Sequence, residues 1–361
     1  MELLDDANVI AQRDPHGALI ATGQQWKQLA TDLVHEFKET DAEITALVIA
    51  GMGGSALAAG LFKDWLNLGI PVEIVRTYDL PGYVGANTLV IASSFSGNTE
   101  ETLSCVHQAR ERGAVAAVTA RGGKLLEYAK SEGISYVELP PLDLVPQPRM
   151  GVFANLRSIL QLCKVYGVID QKSLDELAEA SEWLRDTAAA WAPSVPAEHN
   201  YAKQIAWYCA GKTPVVYASN LFGSIAFKWK ISFNESSKNV AWWNVLPEFN
   251  HNEFIGWSSH PVEKPYAVLD LRSNFDHPQI QKRFEISDRL LSGQRPAAKS
   301  GRAAGSAGRS RTTGSARAPA CCGRTRRRSW PGCGSSGCAN SGRGRRAGRG
   351  SSPTPGRSRR C

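Results

Sequence analysis

Hydroxyl side chains crowd the end of one apolar run. The stretch "SFSGNTEET" follows "NTLVIASS", which is typical of a buried strand, and it carries Ser94, Ser96 and Thr99. A strand that ends in such a turn and opens a helix builds an anion site, because the first N–H groups of a helix are free and the helix dipole favours negative charge. A helix cap by Asn98 or Thr99 would explain one hydroxyl group but not three. We therefore predict that the three hydroxyl groups bind a phosphate group.

A glycine-rich turn, "GMGGSA", follows an earlier apolar run, "ITALVIA". Its Gly54 and Ser55 are further candidates for binding the phosphate. The turn lacks the G-x-G-x-x-G spacing of a dinucleotide site, and no basic residue stands where a P-loop has its lysine. The pattern favours the phosphate of a small sugar over a dinucleotide or a nucleoside triphosphate.

Short apolar strands alternate with helical segments over roughly residues 40–140, and the same order of elements returns later in the chain. This alternation is typical of a parallel sheet covered by helices on both faces. We predict an α/β fold with two doubly wound parallel-sheet subdomains. The predicted segments are an N-terminal helical segment at 1–40, a first domain at 41–192, a second and C-terminally incomplete domain at 193–300, and a low-complexity tail at 301–361.

The tail differs abruptly from the rest of the chain. It contains fifteen Arg, no Asp, Glu or Lys, and none of Val, Ile, Leu, Met, Phe and Tyr. Such a segment cannot bury enough apolar surface to offset its chain entropy. One interpretation is a disordered arm that binds nucleic acid. We favour the other, a frameshift in GC-rich DNA, which predicts that the second half lacks its closing helices and that this chain has little or no activity.

The net charge of +8 comes from the tail, since residues 1–300 alone carry −7. The body is therefore not expected to bind nucleic acid. It has no apolar run of 18 residues, so no membrane partner is expected, and its acidic start lacks the basic region of a secretory signal. These features predict a cytoplasmic protein. Cys105, Cys163 and Cys209 lie in apolar contexts, where we expect them to be small buried hydrophobic residues.

Two sets of motifs resemble one known family. "GMGGSA" and "SFSGNTEET" resemble the turns of the sugar isomerase (SIS) domain, and "FKWKISFNESSKNVAWWNVLPEFNHNEFIGW" resembles the signature of bifunctional phosphoglucose/phosphomannose isomerases. The resemblance implies two SIS subdomains, a homodimer with active sites shared between subunits, and no metal or organic cofactor. The implied reaction interconverts glucose 6-phosphate or mannose 6-phosphate with fructose 6-phosphate through an enediolate.

The resemblance also assigns roles to three residues. Glu235 in "FNESSK" matches the catalytic base, which carries a proton between C1 and C2. Arg149 in "PQPRMG" matches the arginine that faces the enediolate. His251 in "PEFNHNEF" matches the residue implicated in ring opening, which the family supplies from the neighbouring subunit.

The sequence departs from the family pattern at a few positions. Phe95 stands where Tyr is frequent, and Lys228 stands where Arg is usual, which keeps the charge but changes the donor geometry. The family ends with an apolar helical segment and a lysine that assists ring opening. The tail contains Pro-Thr-Pro but no Lys, so we expect this part of the site to be missing.

Other classes of protein fit parts of the sequence. An SIS-domain regulator would bind a sugar phosphate without turnover. Such regulators carry a helix-turn-helix module, and residues 1–40 contain no candidate for one. The interpretation as a nucleic-acid-binding protein depends on the tail alone. The isomerase is the function that we predict.

Overall fold

The first half of the chain folds around a six-stranded sheet. The computed structural model describes residues 2–258 and 265–302. The strands of the first sheet are β1 (His35–Glu36), β2 (Ala46–Gly51), β3 (Val72–Val75), β4 (Thr88–Ser94), β5 (Val115–Ala120) and β6 (Ser135–Glu138). They lie in the order β1-β6-β5-β4-β2-β3, and all pairs are parallel except β1 with β6.

Helices cover both faces of this sheet. They are α1 (Ala7–Arg13), α2 (Ala18–Gly23), α3 (Gly53–Leu66), α4 (Glu100–Glu111), α5 (Gly123–Ser131), α6 (Val152–Val165) and α7 (Gln171–Ala190). Leu47 and Ile49 pack with residues of α3 and α6, whereas Val48 and Ala50 pack with residues of α4 and α5. Successive strand residues point to opposite faces, so the unbroken apolar run of β2 is buried on both sides. The predicted doubly wound parallel sheet is confirmed.

The second half is built around a four-stranded parallel sheet. Its strands are β7 (Thr213–Ser219), β8 (Trp242–Leu246), β9 (Tyr266–Arg272) and β10 (Lys299–Arg302), in the order β10-β9-β7-β8. Its helices are α8 (Tyr201–Cys209), α9 (Gly223–Glu235), α10 (Glu248–His251), α11 (Glu253–Ser258) and α12 (Pro278–Leu290). None of the helices in the described part of the chain combines the length and the apolar character that crossing a bilayer requires.

Both sheets reverse their winding direction once. After β2 the chain adds β3 on one side and then places β4 on the other side of β2; β7, β8 and β9 repeat this order. In open α/β sheets, ligands bind at such a switch point, in the crevice at the carboxyl ends of the strands. The crevice of the first sheet lies between β2 and β4, the strands that the two candidate phosphate-binding turns follow.

The structure differs from the predicted segments at two edges. Strand β1 lies inside the segment predicted to be helical, because its two residues pair with the edge strand β6. Strand β10 includes residues 301 and 302, which pair with β9 although the sequence assigns them to the tail. The predictions of a disordered tail and of a frameshift product fall on residues 303–361, outside the described residues. The division into domains stays a prediction.

The three cysteines of the body are buried free thiols. Cys105 and Cys163 pack in the two cores of the first half, and Cys209 packs between α8 and the second sheet. Burial is the main cause that raises the pKa of Cys105 and of Cys209 to about 11. The prediction that they are small buried hydrophobic residues is confirmed.

Candidate active site

The glycine-rich turn "GMGGSA" and the hydroxyl-rich turn "SFSGNTEET" lie side by side at the switch point of the first sheet. Gly51 at the end of β2 pairs with Ser93 near the end of β4. A Cβ atom at Gly51 would lie 2.8 Å from the carbonyl oxygen of Ser93, so only glycine allows this approach. The turn that contains Gly54 and Ser55 and the turn that contains the three hydroxyl groups therefore open onto one crevice.

The hydroxyl-rich turn has a defined internal geometry. The hydroxyl groups of Ser94 and Thr99 lie 2.8 Å apart, and the Gly97 N–H donates to Ser94 Oγ at 3.1 Å. Ser96 Oγ accepts from the N–H of Asn98 at 3.3 Å. Thr99 is the N-cap residue of α4 by its backbone, but its side chain makes no capping hydrogen bond. Helix capping therefore does not account for the Thr99 hydroxyl group, and the turn stays suited to an anion.

A neighbouring turn between β5 and α5 holds the hydroxyl-rich turn in place. Gly97 has φ 72°, and a Cβ atom there would lie 1.7 Å from the carbonyl oxygen of Gly122. The N–H of Leu125 donates to the carbonyl oxygen of Gly97 at 2.9 Å, and the Lys124 N–H donates to Asn98 Oδ1 at 3.2 Å. The site is thus braced by backbone contacts as well as by its own residues.

Arg149 reaches the same crevice from a short 3-10 turn, Pro148–Met150. This turn packs against the start of α3, since a Cβ atom at Gly54 would lie 3.1 Å from the carbonyl oxygen of Pro148. The buried amide of Gln28 anchors the turn from the other side, donating to the carbonyl oxygen of Met150 at 2.9 Å. Arg149 is thereby fixed next to the glycine-rich turn.

Helix α9 brings Glu235 from the second half to this place. The middle of α3 touches the start of α9, where a Cβ atom at Gly60 would lie 2.5 Å from Ser224 Oγ. Asp64, near the end of α3, accepts a hydrogen bond from the Ser224 N–H at 2.9 Å. Lys228, one turn further along α9, instead contacts Arg149, which lies beside Gly54 at the start of α3. The two helices therefore run in opposite directions, and the last residue of α9, Glu235, lies near the start of α3.

Arg149 and Glu235 are close but not hydrogen-bonded. Arg149 Nε and Glu235 Oε2 lie 3.9 Å apart, beyond hydrogen-bond distance. Arg149 Nε is buried and has no hydrogen-bond partner among the described residues. A buried donor without a partner is costly, so this atom is suited to a ligand oxygen that would lie beside the carboxylate.

Lys228, which stands where the family usually has Arg, is a further cation at the site. It lies two turns before Glu235 on α9, and its ammonium group donates to the carbonyl oxygen of Arg149 at 3.2 Å. Burial lowers the pKa of Lys228; the charge of Glu235 opposes this shift, and that of Arg149 adds to it. The seven-residue spacing of Lys228 and Glu235 was the available signal, because it places both on one helix face.

His251 is not joined to the other candidates within the described contacts. It is the last residue of α10 and is exposed, and no described hydrogen bond or ion pair links it to Glu235 or Arg149. Glu253, two residues on, is held inside the second half by the side chains of Tyr217 and Asn244. Among the described residues, no three His, Cys, Asp or Glu side chains form a group that could hold a metal ion.

Comparison with known proteins identifies the family. A model of the bacterial phospho-glucose isomerase C-terminal SIS domain matches residues 198–311. A bifunctional phosphoglucose/phosphomannose isomerase from Caldicellulosiruptor bescii is 36% identical over 255 residues, which are 70% of this chain and 74% of that protein. This chain belongs to the family of bifunctional phosphoglucose/phosphomannose isomerases. The member from Aquifex aeolicus is 33% identical over 270 residues, 74% of this chain and 77% of that protein.

Solved structures share the fold of this chain. The C-terminal domain of glucosamine-fructose-6-phosphate aminotransferase from Francisella tularensis superposes with a TM-score of 0.53 at 15% identity, over 79% of this chain and 81% of that chain. The resemblance to phosphoglucose/phosphomannose isomerases that the motifs indicated is confirmed, and so is the α/β fold that it implied.

Proposed function

We propose that this protein is an aldose–ketose isomerase that interconverts glucose 6-phosphate and mannose 6-phosphate with fructose 6-phosphate. The observation that carries the proposal is the 36% identity with a bifunctional phosphoglucose/phosphomannose isomerase over 74% of that protein. The arrangement of charged and hydroxyl groups at the first switch point supports it, because phosphate binding and proton transfer both have candidate residues there.

Binding of the phosphate group is the first requirement of the reaction. Ser94, Ser96 and Thr99 supply hydroxyl groups next to the start of α4, and Gly54 and Ser55 supply backbone and hydroxyl groups next to the start of α3. Both helices direct free N–H groups and the positive ends of their dipoles towards the crevice. We assign the phosphate of the sugar to this position.

The proton transfer is the second need. Glu235 removes the proton from C2 of the open-chain aldose, or from C1 of the ketose, and returns it to the other carbon. Negative charge develops on the two oxygen atoms of the enediolate in between. The buried Nε of Arg149, 3.9 Å from the carboxylate, is a donor for one of those oxygens.

Ring opening is the third need, and we assign it to His251 of a neighbouring subunit. The exposed position of His251 is compatible with a role across a subunit interface. This assignment makes the protein a homodimer with shared sites. The cytoplasmic location predicted from the sequence is part of the same proposal.

Product analysis tests the proposed function. The full chain is incubated with fructose 6-phosphate, and the aldose phosphates are identified by NMR. We expect both glucose 6-phosphate and mannose 6-phosphate, formed slowly if at all by this chain and faster once the reading frame is restored after about codon 300. Binding of fructose 6-phosphate in calorimetry, with neither product formed by this chain or by the frame-restored chain, would instead indicate a sugar-phosphate regulator and would overturn the proposal.

The rate of this chain is a separate question, raised by the frameshift hypothesis. A chain with the reading frame restored after about codon 300 is expected to turn over faster than this one, because it would supply the family's apolar closing segment and its lysine. Equal rates for the two chains in a coupled assay would contradict the hypothesis while leaving the proposed function intact.

A further inference from the structure

Lys228 connects the two halves of the candidate site. It lies on α9 seven residues before Glu235, hence on the same face of that helix. Its ammonium group donates to the backbone carbonyl oxygen of Arg149 at 3.2 Å. Lys228 therefore contacts the turn that carries Arg149 and lies on the same helix as Glu235.

The position of the Arg149 side chain depends on how its backbone is held. Arg149 Nε has no hydrogen-bond partner among the described residues, and its distance of 3.9 Å from Glu235 is too long for a hydrogen bond. The 3-10 turn itself is held by Gln28 from the first half and by Lys228 from α9. Of these two anchors, only Lys228 lies on the helix that carries Glu235, so it links the Arg149 turn directly to that helix.

We propose that Lys228 is a positioning residue for the isomerisation, which holds the Arg149 turn at the distance from Glu235 that proton transfer and enediolate binding require. This inference rests on the proposed function. A shift of about 1 Å in such a pair is enough to lower a rate about 100-fold. The ammonium charge matters as well as the contact, since it faces both Glu235 and Arg149.

The charge gives the proposal a signature in the pH profile. Burial is the largest influence on Lys228 and lowers its pKa; the Glu235 carboxylate opposes this and the Arg149 guanidinium adds to it. The ammonium form is lost as pH rises through that lowered pKa, so the activity that depends on it falls on the alkaline side. An arginine at this position does not deprotonate. Lys228→Arg should therefore extend activity to higher pH.

The experiment compares three variants of the full chain. Lys228→Met removes the charge and the donor, and Lys228→Arg keeps both. Lys230→Met is the matched control, because a residue two positions on points about 200° away around the helix. For each protein, kcat and KM with fructose 6-phosphate are measured across the alkaline range, together with the melting temperature.

We expect Lys228→Met to lower kcat about 30-fold or more while KM changes less than about threefold, since positioning acts in the transition state. Lys228→Arg should keep most of the activity and shift its alkaline limit upward. Lys230→Met should match the wild type. Wild-type kcat in Lys228→Met, or equal losses in the Met and Arg variants with an unshifted alkaline limit, would overturn the proposal.

A second readout, which needs no turnover, applies if this chain binds fructose 6-phosphate but has little or no activity. Absence of turnover in the frame-restored chain as well would refute the proposed function rather than this inference. The same variants are then compared by calorimetry with a phosphorylated hydroxamate that mimics the enediolate. Lys228→Met should bind the mimic about tenfold more weakly while binding fructose 6-phosphate normally, because only the mimic needs Arg149 in place. Unchanged affinity for the mimic would overturn the role of Lys228.

Discussion

Arg149 and Glu235 lie 86 positions apart in the chain, and no local pattern links them. Their separation of 3.9 Å results from two packed helices and one short turn. The sequence could point to each residue through a family motif but not to the distance between them, because that distance depends on tertiary packing. For the same reason the contact of Lys228 with the Arg149 backbone became visible only in the structure.

Arg149→Lys tests whether the shape of the guanidinium group matters beyond its charge. A lysine keeps the charge but loses the planar fork that can bind two oxygens at once. We expect kcat for fructose 6-phosphate to fall about 100-fold with KM little changed, as for other donors to a developing oxyanion. Arg110→Lys, on the exposed side of α4, is the control. A kcat within about threefold of the wild type in Arg149→Lys would remove Arg149 from enediolate binding.

In the hydroxyl-rich turn, substitutions can separate a loss of phosphate binding from a loss of stability. Ser94 is buried and its Oγ accepts the Gly97 N–H. Ser96 is exposed and Thr99 is half-buried, so water can replace the hydrogen bonds that they make with the Asn98 N–H and with Ser94 Oγ. Replacing Ser96 and Thr99 by Ala should weaken fructose 6-phosphate binding about tenfold or more, at an almost unchanged melting temperature. Ser94→Ala should lower both. Calorimetry measures the affinity for fructose 6-phosphate, and thermal unfolding measures the melting temperature. Wild-type affinity in the double variant would contradict a phosphate site in this turn.

At the level of elements, the alternation of strands and helices was sufficient to predict two parallel sheets. Strand runs such as that of β2 are apolar at every position, which indicates burial on both faces. The crossing of α3 and α9 was not predictable, since it joins Gly60 with Ser224 across 164 positions. The crossing is nevertheless what carries Glu235 to the first sheet.

Gly60→Ala tests that crossing. The added Cβ atom would lie 2.5 Å from Ser224 Oγ and 3.3 Å from Ser224 Cβ, so the Ser224 hydroxyl group must rotate away and the two helices must shift slightly. We expect a loss of about 1–3 kcal/mol in the free energy of unfolding and a lower kcat, because Glu235 moves with α9. Adding Ser224→Gly should restore part of both, measured by denaturant unfolding and coupled assay.

Gly23→Ala, with no atom within 4 Å of its Cβ position, is the control. Because alanine also gains about 1 kcal/mol of helix propensity over glycine, the contradicting outcome is that both stability and kcat are unchanged in Gly60→Ala and that Ser224→Gly alters neither.

At the scale of the whole molecule, His251 is the candidate catalytic residue that lies apart from the others. The described contacts bring Arg149, Lys228 and Glu235 together but leave His251 apart and exposed. The sequence motif around His251 could suggest its role but not which subunit's substrate it reaches, because that depends on the assembly.

Complementation between two inactive variants tests the shared site. Glu235→Gln and His251→Ala are co-expressed, so that mixed dimers carry one site with both defects and one intact site. About half of the dimers are mixed, and we expect about a quarter of the wild-type activity to return. The control pairs Glu235→Gln with Arg149→Lys, which lie in one subunit's half-site and should restore nothing. No recovery in the first pair, with dimers present in size-exclusion chromatography, would place His251 in its own subunit's site.

Solvent exchange of the hydrogen at C2 of glucose 6-phosphate tests the assignment of Glu235 most directly. In deuterated water the full chain should replace this hydrogen by deuterium. Glu235→Gln should do so about 1000-fold more slowly while binding fructose 6-phosphate with normal affinity, because the base is lost and the phosphate site is kept. Glu248→Gln, at an exposed carboxylate on α10, should exchange like the wild type. An exchange rate in Glu235→Gln within about tenfold of the wild type would contradict its role as the base.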